Sequence, residues 1–132
     1  MGIPSQRLHG YNHLVDLINS RDFFIQWFRG FVDAEGTFAI DRQRDGRKWN
    51  LVLKVSVSTY NAKVMRYIKW HLGAAVQLEW TSDGQTVLIR VRDRDLLASI
   101  IFPILDAYPL LTSKRYHYEI LRSAYNVLEN RS

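Results

Sequence analysis

The chain has 132 residues, and 18 Lys and Arg against 13 Asp and Glu give a net charge of +5, a balance common among nucleic-acid-binding proteins. Its 47% hydrophobic content is enough for the core of one domain and excludes intrinsic disorder, while the absence of cysteine excludes disulfides, thiolate catalysis and cysteine-ligated metals. The longest apolar run, residues 96–105, is about half of the ~20 residues that cross a bilayer, so no membrane partner is expected.

The N-terminal third of the chain is predicted to be helical. Hydrophobic spacing indicates a short helix over residues 12–19, which we interpret as a lid on the core, and a long helix that ends near residue 35. The long helix is apolar nearly all round, so it needs cover on more than one side. Gly36 is expected to end it in a left-handed conformation. With no linker or repeat, residues 1–132 are predicted to form one domain, of which residues 1–20 are an extension or a short helix.

After Gly36 the hydrophobic period changes from helical to alternating, and two turn signals mark two β-hairpins. Two further helices are expected after the second hairpin, which gives an α+β fold. The predicted elements are strands over residues 37–44 and 49–58 around Asp45-Gly46, a helix over 62–72, strands over 76–80 and 86–91, a helix from 96 interrupted at Pro103, and a helix over 114–128.

One face of both hairpins carries a mixture of acidic, amide, hydroxyl and basic side chains. Such a mixture can read base edges in the DNA major groove, whereas phosphate binding alone would need mostly Lys and Arg. The alternative is an ordinary solvated sheet face, which alternation by itself favours. The opposite positions, Trp80 among them, are expected to face the core. The predicted DNA-contacting positions are Ala39, Asp41, Gln43, Asn50, Val52, Lys54, Ser56, Gln77, Glu79, Thr81, Thr86, Leu88 and Arg90.

Two carboxylates, Asp33 and Glu35, lie in the last turn of the long helix, where the helix dipole disfavours each by ~0.3–1 kcal/mol. Gly30 and Ala34 are four residues apart, so a second helix could approach that face closely. If the second helix came from another copy, two Glu35 side chains would meet, and a divalent cation would relieve their repulsion. Spacing alone supports equally the alternative that both carboxylates are solvated helix-end residues.

Lys114 stands beside Arg115 at the start of the last helix, where the helix dipole disfavours cations. It is therefore a candidate functional charge, with a plain surface lysine as the alternative. The four histidines show no metal-ligand spacing, and no glycine-rich phosphate loop is present.

Residues 27–38, which read WFRGFVDAEGTF, resemble the signature of the LAGLIDADG homing endonucleases, of which Gly-Phe-Val-Asp-Ala-Glu-Gly is a common form. Residues 108–115 resemble the segment that leads into the family's last helices, and the resemblance covers roughly residues 22–128. It implies an αββαββα-type domain with a four-stranded antiparallel DNA-binding sheet and the signature helix at a dimer interface. The implied interface residues are Phe28, Gly30, Phe31 and Ala34.

The resemblance also implies an activity: sequence-specific, Mg²⁺-dependent cleavage of both strands of DNA by an enzyme encoded in a mobile intron or intein. Glu35 and the carbonyl of Ala34 would bind the metal, with Mn²⁺ or Ca²⁺ able to occupy the same site. Lys114 would support the transition state, and Thr59 or its neighbour Ser58 would orient water. Asp33 would be structural, and Arg29 departs from the small residue that the family prefers at that position.

One copy of the signature implies a homodimer acting on a long, near-palindromic site, although half of a longer enzyme would look the same. The competing functions are an RNA maturase that binds intron RNA, a non-cleaving DNA-binding regulator, and a small interaction domain that merely dimerises. An intracellular location is expected, in a mitochondrion, a chloroplast or a prokaryotic cytoplasm.

Overall fold

The computed structural model describes residues 13–42, 46 and 48–130 of the chain. Its strands form one antiparallel sheet in the order β1-β2-β4-β3, so the predicted α+β fold with a four-stranded sheet is confirmed. Asn12, Gln43 and Asp45, which earlier predictions included, lie outside the described residues. The elements are α1 (13–19), α2 (Arg21–Glu35), β1 (Gly36–Arg42), β2 (Trp49–Ser58), a 3₁₀ turn (Thr59–Asn61), α3 (Ala62–Leu72), β3 (Leu78–Trp80), β4 (Thr86–Val91), α4 (Arg94–Leu96), a π-helical segment (Leu97–Ile101), α5 (Phe102–Ala107) and α6 (Lys114–Glu129).

The core lies between one face of the sheet and the helices that cover it, which are α2, α3, the π-helical segment with α5, and α6. The inward positions of the two central strands alternate with outward ones, as the period of two predicts. Within the described ranges, no helix has the length and apolar character that a membrane span requires. The buried side chains of this core include Leu51, Leu53 and Val55 of β2, Val87, Ile89 and Val91 of β4, Phe24, Phe28 and Val32 of α2, Met65 and Ile68 of α3, Leu97 and Ile101 of the π-helical segment, Leu105 of α5, and Leu121 of α6.

Two predictions about local burial were wrong. Trp80 was expected in the core, but its side chain is 49% exposed because β3 is an edge strand. The short helix α1 was interpreted as a lid, but its apolar residues remain exposed, including Leu14 and Ile18. Alternation and helical spacing give the direction of a side chain relative to its own element, and burial depends on what covers that element.

An aromatic cluster between α2 and α3 sets the rotation of α2 about its axis. The ring of Phe24 stacks on His71 with centroids 4.1 Å apart and meets the edge of Tyr67 at 5.6 Å. Trp27 meets the same Tyr67 ring at 5.2 Å. Burial, with the nearby positive charge of Arg21, lowers the pKa of His71 and so keeps this stacked ring neutral at neutral pH. These contacts direct one side of α2 into the core and leave the opposite side open.

The junction between α2 and β1 is made without a loop, and Gly36 makes it possible. Gly36 does not adopt the predicted left-handed conformation, since its φ of −83° and ψ of 154° are extended. Its N–H donates to the carbonyl oxygen of Val32. A Cβ on Gly36 would lie 2.6 Å from that oxygen and 2.9 Å from Cγ1 of Val32. Glycine is therefore required by lack of space, and the sheet begins directly where the helix ends.

Gly36→Ala should destabilise the protein by ~1–3 kcal/mol, because the added methyl group overlaps backbone atoms that cannot move freely. The free energy of unfolding, measured by urea denaturation and circular dichroism, tests this expectation. A variant as stable as the parent would show that the helix end can relax around a side chain.

Candidate functional site

The carboxylate of Asp33, in the last turn of α2, is held by the loop that precedes α6. Its Oδ2 accepts a hydrogen bond from the backbone N–H of Leu111 at 2.7 Å. Its Oδ1 accepts from the N–H and the hydroxyl of Thr112 at 3.0 and 2.5 Å. The Thr112 hydroxyl oxygen in turn accepts from the N–H of Lys114 at 3.2 Å. This chain of hydrogen bonds attaches the first residue of α6 to the end of α2.

These hydrogen bonds also decide the charge of Asp33. Partial burial alone would raise the pKa of the Asp33 carboxyl, but the hydrogen bonds from Thr112 and Leu111 and the positive charge of Arg29 outweigh it. The net result is a pKa below the usual value for aspartate. Asp33 is therefore ionised at neutral pH and has a structural role.

Glu35 differs from Asp33 although it lies in the same turn. Glu35 is exposed. In the described part of the chain no group donates a hydrogen bond to its carboxylate or forms an ion pair with it. Ala34 is also exposed, and its carbonyl is among those that a helix end leaves without an intrahelical partner. A carboxylate and a carbonyl oxygen are ligands that Mg²⁺ accepts, together with water and phosphate oxygens. The donor set fits a hard divalent cation.

The described part of a single chain does not complete such a metal site. Among the described residues, no group of three or more His, Asp or Glu side chains is arranged to hold a metal ion. Phosphates, water or a second carboxylate are candidates for the further ligands that these residues do not supply.

Lys114 begins α6 and is half-buried. Because its backbone is attached through Thr112 to Asp33, the structure places it at the same end of α2 as Glu35. An ammonium group at this end of α2 can stabilise negative charge that collects there, such as that of the Glu35 carboxylate or of a bound phosphate.

Thr59 lies at the end of β2 and is engaged in the fold. Its hydroxyl donates to the carbonyl oxygen of Gly84 at 2.6 Å, and its N–H donates to the carbonyl of Gln85 at 2.9 Å. The neighbouring Ser58 hydroxyl oxygen accepts from the N–H of Tyr60 at 3.4 Å. Thr59 thus joins the two hairpins, and its catalytic role stays a prediction.

The predicted interface residues of α2 separate into two groups. Phe28 is 1% exposed and packs in the core of its own chain, so its assignment to a dimer interface was wrong. Phe31 is half-buried and stacks on Trp27 at 5.1 Å. Gly30 and Ala34 are exposed, and no atom lies within 4 Å of the position that a Cβ on Gly30 would occupy. We call the side of α2 that carries Gly30 and Ala34 the open face.

Most of the predicted DNA-contacting residues lie on the side of the sheet opposite the core, here called the outer face. Register pairs put Ala39 opposite Val52, Asp41 opposite Asn50, Lys54 opposite Arg90, Ser56 opposite Leu88 and Ser58 opposite Thr86. Val52 and Leu88 are only 5% and 6% exposed, because longer neighbours cover them. They form the floor of the outer face, and the side chains that remain available for contact are the polar ones around them.

Two other predicted contacts differ in position. Gln77 precedes β3, and its amide donates to the carbonyl oxygen of Ala74 at 3.2 Å. Thr81 follows β3, and its hydroxyl donates to the carboxylate of Asp83 at 2.6 Å within the turn. Both side chains are engaged locally because the strand is shorter than the alternation predicted.

The family model described as LAGLIDADG endonuclease matches residues 28–125. The chain belongs to this family. The match includes the open face of α2, the end of that helix, the whole sheet and most of α6.

Individual proteins are similar to this chain in sequence or in fold. The chain is 38% identical over 114 residues to "Probable intron-encoded endonuclease Cox1-I1b" of Schizosaccharomyces pombe, covering 84% of this chain and 29% of the relative. The crystal structure of I-GzeII in complex with its DNA target matches 81% of this chain and 37% of its own, with a TM-score of 0.75 and 18% identity. That of I-TnaI matches 80% of this chain and 74% of its own, with a TM-score of 0.70 and 22% identity. At these identities the two structures show the shared fold.

Asp33→Asn should lower the free energy of unfolding at pH 7 by ~1–2 kcal/mol, because an amide cannot accept all of the hydrogen bonds that the carboxylate accepts. The native pKa of Asp33 is depressed, so its contribution is complete above the unfolded pKa of about 3.9 and is lost as the pH falls through the native value. Urea denaturation between pH 2 and 7 should therefore show the variant and the parent converging at low pH.

The matched control is Asp41→Asn, which removes the same charge from an exposed position on β1. Its stability should stay within about 0.5 kcal/mol of the parent at every pH. Equal effects of the two substitutions would contradict the structural role of Asp33.

Proposed function

We propose that the protein is a sequence-specific DNA endonuclease that uses a divalent metal, Mg²⁺ by preference, and cuts both strands of a long, near-palindromic site as a homodimer. The observation that carries the proposal is Glu35, an exposed carboxylate that has no partner among the described residues and lies at a helix end that disfavours it. Family membership and the adjacent Lys114 support the same conclusion. The chain spans 29% of the intron-encoded relative, so the activity proposed here is that of this unit paired with another.

The outer face is the proposed DNA surface. A two-stranded antiparallel ribbon fits the major groove, and the polar side chains of this face can each match particular base edges. The neighbour I-GzeII, which shares the fold, is described in complex with its DNA target. The net charge of +5 supports attraction to phosphates.

The open face of α2 is the proposed dimer contact. Gly30 presents no side chain and Ala34 only a methyl group, so two such helices can pack with their backbones close together. A two-fold axis through this contact brings two Glu35 carboxylates together at the base of the helix pair. Pairing would also supply the ligands that one chain lacks.

In this assembly Glu35 and the carbonyl of Ala34 would hold the metal. When bound, Mg²⁺ supplies Lewis-acid activation of water and neutralises charge on the scissile phosphate. Lys114 places its ammonium group near the phosphate and stabilises the negative charge that develops there. Asp33 positions Lys114 through Thr112, and the exposed Glu35 leaves its carboxylate oxygens available.

Gly30→Leu should convert the dimer to a monomer, because the larger side chain separates the two helices. Light scattering should report about twice the 15.5 kDa chain mass for the parent and the single mass for the variant. Ser123→Leu, which adds the same side chain to an exposed position of α6, should remain dimeric. A parent that stays monomeric at micromolar concentration, with and without DNA, contradicts the homodimer and favours half of a longer enzyme.

Glu35→Gln should lose DNA cleavage by several orders of magnitude while its fold and its DNA binding are retained, because the amide keeps the shape and removes the charge that binds metal. Incubation of the parent with Mg²⁺ and a randomised duplex library, followed by sequencing of the cleaved ends, first identifies the site. Cleavage rates on that site and denaturation curves are then compared.

Two further variants separate metal binding from charge stabilisation. Lys114→Met should slow cleavage while metal affinity stays unchanged, because the lysine acts on the phosphate and not on the metal. Glu119→Gln removes a carboxylate on α6 that pairs with Arg115, and it should cleave at the parental rate. Cleavage by Glu35→Gln at the parental rate contradicts the mechanism, and specific binding without cleavage by the parent favours a regulator or maturase.

A further inference from the structure

Three charged side chains form one network on the outer face. Glu79 lies on β3, Arg90 lies on β4, and Arg92 follows β4 directly. One carboxylate oxygen of Glu79 accepts a hydrogen bond from Nη1 of Arg90, and the other lies 3.8 Å from Nη2 of Arg92. One acidic side chain thus holds two arginines at the edge of the outer face.

Folding stability does not account for this network. The Glu79 side chain is 37% exposed and those of Arg90 and Arg92 are 39% and 54% exposed, and ion pairs this open to water contribute little to stability. On a surface that binds DNA, a carboxylate also repels phosphates. An acidic residue in this place therefore needs another reason.

Geometry supplies the reason. Arginine recognises guanine by donating two parallel hydrogen bonds to O6 and N7, which requires the guanidinium plane to lie in one orientation. A free arginine samples many rotamers and loses that freedom on binding. A carboxylate that accepts from Nη1 restricts the orientations that the Arg90 guanidinium samples and leaves its other N–H groups available.

The neighbouring cation provides a contrast. Lys54 lies directly opposite Arg90 across β2 and β4, on the same concavity of about 300 Å³ above the Val52 floor. Within the described residues no carboxylate pairs with Lys54. A flexible ammonium without an orienting partner suits a phosphate, whereas an oriented guanidinium suits a base edge.

We propose that Glu79 is a positioning residue for sequence readout: it orients Arg90, with Arg92 beside it, towards a guanine in the major groove and limits their attraction for phosphates. The inference rests on the proposed DNA-binding function of the outer face. Glu79 contacts the arginines and not the base, so its removal changes preference at the position that Arg90 reads.

The test is selection of bound sequences from a randomised duplex library in EDTA, which prevents metal-dependent cleavage, for the parent and for Glu79→Gln. The parent should enrich guanine at one position of each half-site. The variant should lose about tenfold of that preference, the scale of one bidentate base contact. Its affinity for a 30-base-pair duplex of unrelated sequence should rise. The slope of log affinity against log salt concentration should become more negative by about one unit, because one more positive charge is free to contact phosphate.

Two further variants distinguish orientation from charge. Glu79→Asp keeps the charge but shortens the side chain, so it should lose the guanine preference without tighter binding to the unrelated duplex. Glu119→Gln removes a carboxylate from a similar exposed ion pair on α6, and its base preference should match that of the parent. The thermal unfolding midpoint of each variant, measured in parallel, should stay close to that of the parent, because the ion pairs of Glu79 and Glu119 are both exposed.

The possible outcomes separate the two proposals. An unchanged guanine preference in Glu79→Gln overturns the positioning role while the DNA-binding function stands. So does the loss of a cytosine preference in that variant, because it would show that Glu79 contacts a base itself. The same change in Glu119→Gln shows a general charge effect and also overturns it. A parent that enriches no sequence overturns both proposals.

Discussion

The close approach of Gly36 to Val32 is the constraint on which the arrangement of the site depends. Because the strand starts where the helix ends, no loop separates the last turn of α2 from the sheet. The outer face and the helix end are therefore held in one rigid relation, with Glu35 at their junction. Under the proposed function this matters, because a connecting loop would allow the Glu35 carboxylate to move relative to the strands of the outer face, and catalysis depends on sub-ångström positioning.

The two carboxylates at this helix end are disfavoured by the same dipole, yet only one is compensated. Hydrogen bonds to an ionised group contribute ~1.5–3 kcal/mol each in favourable sites, which exceeds the ~0.3–1 kcal/mol dipole cost. Asp33 accepts such bonds from Leu111 and Thr112, so folding explains its presence. Glu35 accepts none among the described residues, so no contact within that part of the chain offsets its dipole cost.

Hydrophobic periods predicted the order of helices and strands because those periods reflect local backbone geometry. What they could not predict is non-local. The Asp33 contact joins residues 78 positions apart, and the burial of Phe28 depends on which side of α2 the aromatic cluster turns inward. Gly36 was correctly placed at the helix end, but the reason was misassigned, since spacing suggests a left-handed turn and only the fold reveals the crowding at Val32.

The outer face shows why polar mixture alone overestimates the number of reading residues. Its alternation is correct along each strand, yet Val52 and Leu88 are covered, and Gln77 and Thr81 are engaged outside the short edge strand β3. Under the proposed function, readout would depend on a few long side chains at the rim. There Lys54, which pairs with no carboxylate among the described residues, lies opposite Arg90, which donates to Glu79. When few side chains contact the bases, specificity depends mainly on restricting their orientation. A mobile cationic side chain attracts phosphates of any sequence and so adds affinity without sequence preference.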